Sequence, residues 1–544
     1  MSNKRRCGVL LHPTSLPGPR ASGGFGASAL AWIELLGRSG VAAWQLLPLA
    51  PTDGTGSPYS SPSGSALNPK LLDAELLVSE GFLDDCDTQH LATRSSCRSP
   101  GSPLSGSVSP GSVSPGSTSP GSASPDAQPA RNSYPGSIQP ESGDLGAGLL
   151  RCWSRQPAGR KRAFKRWRRR ERHWLADHCR FMVLRELQRG RPWWQWPEPL
   201  AQRQRQALGR FDQDQAPALL QEALVQWQLQ RQWQQLRQAA HNHGVELVGD
   251  LPFYVAHDSA DVWSRPALFE LGTAGRLRQQ SGVPPDYFSA TGQLWGTPVY
   301  HWPRHWLTGF SWWLARLQRQ LELFDLLRLD HFRALQAFWS VPGKDDTAEG
   351  GHWRPSPGGP LLALLWLRCL LARQLQAGRL PIIAEDLGVI TPPVEALRDS
   401  FELPGMKILQ FAFDGDPTNP YLPANIKGRR WVVYTGTHDN ATSIGWWQQL
   451  NPEARARVEA AVGGGVHAPG WQLLELALAS SADLVVVPLQ DLLELDDHAR
   501  FNTPGTTEGN WSWRLDRSIA SLAGALGGYG AMASRYGRGQ GPSD

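Results

Sequence analysis

The sequence predicts an α/β protein: a (β/α)8 barrel with a mostly helical insertion between its second and third strands and a low-complexity segment expected to be disordered. Two observations carry this. Eight buried-type apolar runs, at 8–12, 42–49, 245–255, 326–332, 381–387, 406–413, 432–439 and 484–490, are separated by segments of helical period, which is the pattern of parallel β-α units. Acids stand where those runs end, at Asp250, Asp330, Glu385, Asp414 and Asp439, with His438 beside the last. Barrel enzymes build their sites at that end of the strands. An open doubly wound sheet is the alternative, but no glycine-rich phosphate loop follows any run.

In chain order, residues 1–70 begin the barrel. The run GVLLH (8–12) is closed by Pro13, residues 27–37 have helical spacing with a glycine stop, and AAWQLLPL (42–49) is the second strand. The Gly/Ser/Pro loop 53–68 is long enough to be a binding loop, with Tyr59 as its ligand-facing aromatic. Residues 71–240 read as the helical insertion. Within it, about 95–145 is Ser/Pro/Gly-rich, with an SPGS repeat of five-residue period from Ser109. Such a segment has almost no apolar surface to bury.

The basic run 160–172 (RKRAFKRWRRRER) carries Phe164 and Trp167 at helical spacing, so it reads as a solvated amphipathic helix; polyanion contact is the minority reading. Residues 241–530 complete the barrel. Their helices are expected at 311–323, 360–377, 394–401 and roughly 514–526, and 531–544 is expected to be a flexible tail.

Composition narrows the class. The net charge of +5 over 544 residues is small and does not by itself imply a polyanionic partner. Six scattered cysteines form no CxxC pair and read as reduced thiols of a cytosolic protein. The first apolar run stops after four residues, too short for a signal-peptide core, and 360–371 contains Arg368 and is far short of a membrane span. The reading is a cytoplasmic protein without membrane or nucleic-acid partners. Twenty-five Trp against 9 Tyr and 16 Phe suit a cleft with flat aromatic faces, which makes carbohydrate a candidate ligand.

Converging carboxylates with few His favour either divalent-metal chemistry or glycosyl transfer. Arg328 lies two residues from Asp330 and, by strand alternation, on the same face. A competing cation there argues against a metal. It does suit an acid that must stay ionised, because a guanidinium lowers a neighbouring carboxyl's pKa. Glu385, on another strand, is placed to be the protonated partner that glycoside chemistry requires.

Seven blocks then carry a resemblance: GDLPFYVAHDSADVW (249–263), GVPPDYFSATGQLWG (282–296), RLDHFR (328–333), PIIAEDLGVITP (381–392), LPGMKILQFAFDGDP (403–417), VVYTGTHDN (432–440) and NTPGTTEGNWSWR (502–514). They resemble the amylomaltases, 4-α-glucanotransferases of the α-amylase clan. The resemblance implies transfer of α-1,4-glucan segments from a donor maltooligosaccharide to the 4-hydroxyl of a glucose or glucan acceptor, with retention and no cofactor or metal.

It further implies Asp330 as nucleophile, Glu385 as general acid/base and Asp439 as transition-state stabiliser. Arg328, His438, Tyr59, Asp414, Asp286, Gln293 and Trp295 would bind substrate, the last three covering the donor chain. Departures are Pro62 and Gly64 in the 57–69 loop, Ala334 after HFR and Ala441 after HDN. An α-glucan hydrolase on the same barrel, or a catalytically silent glycan-binding protein, remain the competing readings.

Overall fold

The computed structural model describes residues 5–18, 22–84, 141–285, 290–506 and 508–539. Eight parallel strands form the barrel: β1 (Arg6–Leu10), β2 (Ala43–Gln45), β3 (Glu246–Leu251), β4 (Leu326–Leu329), β5 (Ile382–Ala384), β6 (Gly405–Ile408), β7 (Trp431–Tyr434) and β8 (Leu484–Pro488). They follow chain order around the sheet, and β8 pairs back onto β1 from Arg6–Leu484 to Leu10–Pro488.

The seam between β5 and β6 is closed differently. Ala384 N–H donates to the Pro404 carbonyl at 2.8 Å. The Asp386 carboxylate accepts from Met406 N–H at 2.7 Å and pairs with buried Arg398. A side-chain carboxylate stands in for a missing rung of the ladder.

Every apolar run contains a strand, but each strand ends before its run does. The run 245–255 stops pairing at Leu251, where Pro252 removes a donor; 326–332 stops at Leu329 because His331 turns into the left-handed region at φ 51°. The run 406–413 leaves the sheet at Ile408 into a tight turn, Leu409–Phe411, so Asp414 is not at a strand end. The surplus residues form buried loops above the barrel.

Alternation along the strands sorts the side chains. Leu10, Ala43, Val248, Leu326, Ile383, Met406, Ile408, Val432, Tyr434, Leu484 and Val486 fill the barrel interior. Their same-face successors include Asp250, Arg328, Asp330 and Glu385, so the polar residues cap the apolar plug at its C-terminal end. Glycine is required on β3: a Cβ on Gly249 would lie 2.2 Å from the Phe324 ring that packs on the strand's outer face.

The surrounding helices include Ala27–Arg38, Ala216–Asn242, Ser311–Leu323, Gly358–Leu371 and Pro392–Ser400. The helix expected at 360–377 therefore ends six residues early. The last helix is Ala523–Arg535 behind a turn at Ile519–Leu522, not 514–526. Instead of a flexible tail from 531, the chain is helical to Arg535, and buried Arg538 donates to the carbonyls of Leu478, Ser480 and Ala482 at 2.9, 2.7 and 2.8 Å. No helix among the described residues is long and apolar enough to cross a membrane.

Most of the 95–145 repeat segment lies outside the described residues, but helix begins at Glu141. The basic run is a helix, Ala158–Arg170, whose Phe164 and Trp167 are buried; Trp153, Phe164 and Trp227 pack ring on ring at 5.1–6.0 Å. Helix Ala216–Asn242 then connects insertion to barrel. Its buried Gln226 accepts from Leu67 N–H and donates to Leu67 C=O, both at 2.9 Å, and Gln232 does the same to Asp73 at 2.9 and 2.8 Å. Two amides thus fasten the stretch that follows Tyr59.

A feature absent from the sequence reading is a second, antiparallel sheet of four strands, ordered 293–298, 279–283, 337–342 and 352–355. It follows directly from the turn after β4, where the Arg333 guanidinium sits 3.8 Å from the Trp353 ring centroid.

Candidate active site

Strand β4 supplies the centre of the site. Arg328 Nη1 lies 2.9 and 2.8 Å from the two carboxylate oxygens of Asp250 on β3 and 3.1 Å from Asp330 Oδ1. The Tyr59 hydroxyl donates to Asp250 Oδ2 at 2.6 Å. One buried cation is therefore shared between two acids. Burial pushes the Asp330 carboxyl up to about 6; Arg328 opposes the rise, and the charges of Asp250 and Asp439 add to it. The sequence argument that Arg328 keeps this acid low is corrected: loss of water outweighs the guanidinium.

Glu385 follows β5. Its N–H donates to Leu329 C=O at 3.1 Å, its C=O accepts from Phe332 N–H at 3.1 Å, and its Oε2 accepts from His331 N–H at 2.7 Å. The left-handed backbone at His331 is what turns that N–H toward the carboxylate. Burial pushes Glu385 well above the usual carboxyl range, opposed by Arg328 and reinforced by Asp330. Both carboxyls therefore bind a proton more readily than they would in water. Burial also lowers the His331 imidazole to about 3, so that ring is neutral.

The loop after β7 brings the third acid. Asn440 accepts from Thr437 N–H at 2.9 Å and tightens the THDN turn. Asp439 Oδ1 accepts from Asn502 Nδ2 at 2.7 Å, and Arg500 donates to the Asp439 carbonyl at 2.7 Å. His438 Nε2 lies 3.3 Å from Asp439 Oδ2, and burial lowers its pKa. The Tyr59 ring stacks on His438 at 5.2 Å and 9°, with Trp511 tilted against both.

Trp295, on the antiparallel sheet, meets His331 edge-to-face at 4.9 Å and lies 5.9 Å from Tyr254; its indole N–H donates to Gln293 at 3.4 Å. Of the expected site residues, Arg328 meets Asp330, and Tyr59 meets His438, which meets Asp439; Asp250 bridges the two groups through Arg328 and the Tyr59 hydroxyl, and Glu385 and Trp295 both contact His331. Asp286 lies outside the described residues. Asp414 is apart: it is exposed and accepts from Asp416 N–H at 3.0 Å within its own turn.

His257 and Asp258 organise the loop after β3, as their position suggested. His257 stacks on Trp194 at 3.9 Å, and Asp258 accepts from Trp193 N–H at 3.1 Å. The sequence reading gave no individual role to Asn502, Arg500, Trp511 or the main chain of His331; only the intact 502–514 block pointed to the first and third. No cluster of three or more His, Cys, Asp or Glu side chains able to hold a metal ion occurs among the described residues.

Buried Arg328 with Asp250 and Asp330 against it, and Glu385 and Asp439 beyond the ends of β5 and β7, at the C-terminal mouth of a parallel barrel, form the frame in which comparisons with known proteins take on meaning. The family model for 4-alpha-glucanotransferase matches residues 11–519. The chain belongs to the 4-alpha-glucanotransferase family. It is 40% identical over 522 residues to the 4-alpha-glucanotransferase of Synechocystis sp., covering 94% of each chain. Identity to the Thermus thermophilus enzyme is also 40% over 522 residues, with 95% of each covered. Among solved structures, the amylomaltase from Streptococcus agalactiae in complex with acarbose superposes with a TM-score of 0.85 at 30% identity, over 99% of this chain and 100% of that one. The barrel, the transferase activity and the place in glucan metabolism expected from the sequence hold for this family member.

Proposed function

We propose that the chain transfers α-1,4-glucan segments by a retaining double displacement. Asp330 attacks the anomeric carbon of the donor as the glycosidic C–O bond breaks, and Glu385 gives its proton to the departing 4-oxygen. The donor segment is then held as an ester on Asp330. In the second half an acceptor 4-hydroxyl gives its proton to Glu385 while its oxygen attacks the same carbon, and the ester bond breaks. Asp439, held by Asn502, stabilises the distorted sugar ring, with His438 and Tyr59 beside it.

The observation that carries this reading is the placement of two acids on adjacent strands at the barrel mouth: Asp330 lies 3.1 Å from Arg328, and Glu385 is aimed by the His331 N–H at 2.7 Å. Burial raises both carboxyls, and the direct ion pair with Arg328 favours the ionised form of Asp330, which suits Asp330 as nucleophile and Glu385 as acid. Donors would be maltooligosaccharides or longer α-glucans and acceptors glucose or glucans; the similar streptococcal amylomaltase, solved in complex with acarbose, supports a site for such chains. Trp295 and its sheet would cover the ester and keep water from it, which favours transfer over hydrolysis. The fold and a cytoplasmic setting agree with soluble glucan substrates.

Incubation with maltotriose tests the proposal. A ladder of longer chains plus glucose is expected; glucose and maltose alone would contradict it. Asp330→Asn should lower turnover by about 10⁴-fold or more, and unchanged turnover would refute the assignment.

A further inference from the structure

Helix Gly358–Leu371 (GGPLLALLWLRCLL), between β4 and β5, buries Leu361, Leu362, Leu365 and Cys369 against the barrel. Its opposite face is apolar as well. Leu364, Leu367, Leu370 and Leu371 are 36, 46, 46 and 77% exposed, and Trp366 is 38% exposed. Ala363, Leu367 and Leu370, and likewise Leu364, Leu367 and Leu371, recur at the three- and four-residue spacing by which helices pair with helices. A helix on the outside of a monomer ordinarily turns a polar face to water. This one has a single charge, Arg368.

We infer that this face docks a second copy of the chain, helix against helix across a two-fold axis near Leu367. Area is the first argument. The five side chains leave on the order of 500 Å² of apolar surface in water, about as large as the largest patch of a typical monomer. Placed against its own copy, with a rim added, the patch reaches the roughly 1,200 Å² at which specific interfaces begin.

Self-complementarity is the second argument. Antiparallel pairing about Leu367 sets small Ala363 opposite Leu371 and Leu364 opposite Leu370, so a bulge meets a hollow at each end. The remaining occupants fit less well. Residues 98–125 of the same chain offer only Leu104, Val108 and Val113 as larger apolar groups. A lipid surface calls for several basic residues flanking the apolar face, and the helix has one. The contact lies on the outer wall of the barrel, so two copies would keep both site mouths open.

Sedimentation equilibrium of the full chain at micromolar concentration is the test. A dimer is expected, and Leu367→Glu should weaken it by about 30-fold or more. Circular dichroism and maltotriose disproportionation should stay at the parent level in that variant, since Leu367 is exposed and distant from the acids. Independently, Leu367→Cys should form an intermolecular disulfide at that position on mild oxidation, mapped by peptide mass spectrometry to separate it from native thiols. A parent chain that stays monomeric, or a dimer indifferent to Leu367→Glu, overturns the inference. So does a monomer that sediments with phosphatidylglycerol vesicles through this helix.

Discussion

Arg328 touches both oxygens of Asp250, at 2.9 and 2.8 Å, while it reaches Asp330 at 3.1 Å. The residue that orients the proposed nucleophile is itself anchored by an acid one strand away. Asp250 also contributes to the high proton affinity of Asp330. Asp250→Asn should therefore do two things at once: lower kcat by about 10²-fold, because Arg328 loses its anchor, and move the acid limb of the pH profile downward. A purely structural residue would give the first without the second. Maltotriose turnover measured across pH distinguishes them.

The parent enzyme should show a bell-shaped profile. In the proposed roles Asp330 acts ionised, so activity rises as pH passes about 6, and Glu385 acts protonated, so activity falls once its raised carboxyl ionises. The two groups interact, so the limbs belong to the pair. Glu385→Gln should remove the alkaline limb from whatever activity survives on an activated donor such as a glycosyl fluoride.

Asn502 holds one oxygen of Asp439 at 2.7 Å. Asn502→Ala should lower kcat by about ten-fold and leave folding intact, since one charge-assisted hydrogen bond is lost near the surface of the site. Asn502→Asp should be worse, because it sets a second negative charge against Asp439. Steady-state kinetics on both variants order the effects.

Trp295 covers His331 and leans toward the site from the antiparallel sheet. Trp295→Ala should raise the hydrolytic share of turnover by about three- to ten-fold by admitting water to the ester. The measurement is reducing-end release against ladder formation, from the same digest.

Asp330 also has a cost in stability. Its folded carboxyl binds a proton more tightly than an unfolded aspartate does, so its contribution disfavours the fold increasingly from about pH 4 and fully above about 6. Asp330→Asn should accordingly raise Tm by about 1–2 °C at pH 7.5 and leave it unchanged at pH 4. Scanning calorimetry at the two pH values checks both arms.

The barrel was legible because its strands are buried on both faces and read as continuous apolar runs, such as LVVVP in β8. The same property blurred where strands end: in Trp431–Asp439 the apolar and polar residues beyond Tyr434 are loop, buried by packing and not by pairing. Charges two residues apart on β4 were readable by alternation. Their partner Asp250 was visible only as a strand-end acid, since nothing local in the sequence says which acid an arginine will hold.

The antiparallel sheet went unread for the opposite reason. QQSGV and QLWGTP lack the alternation that marks a half-buried strand, and they pair because Ala337–Pro342 lies between them and the barrel turn. Asn502 and Arg500 act from a loop far along the chain. Of the residues carried by the resemblance, Asp414 bonds within its own turn, and Asp286 lies outside the described residues.

The hydrogen bond from His331 to Glu385 comes from the main chain. What points the acid is a bend in the polypeptide, and the imidazole of the same residue plays no part in it. Drift at position 331 can alter the ring that Trp295 covers without redirecting Glu385, provided the new residue tolerates φ near 50°. Asparagine and glycine do so readily, whereas valine or isoleucine do not. The aim of Glu385 is inherited through chain geometry, and the neighbouring side chain is left free to vary with the aromatic ring that covers it.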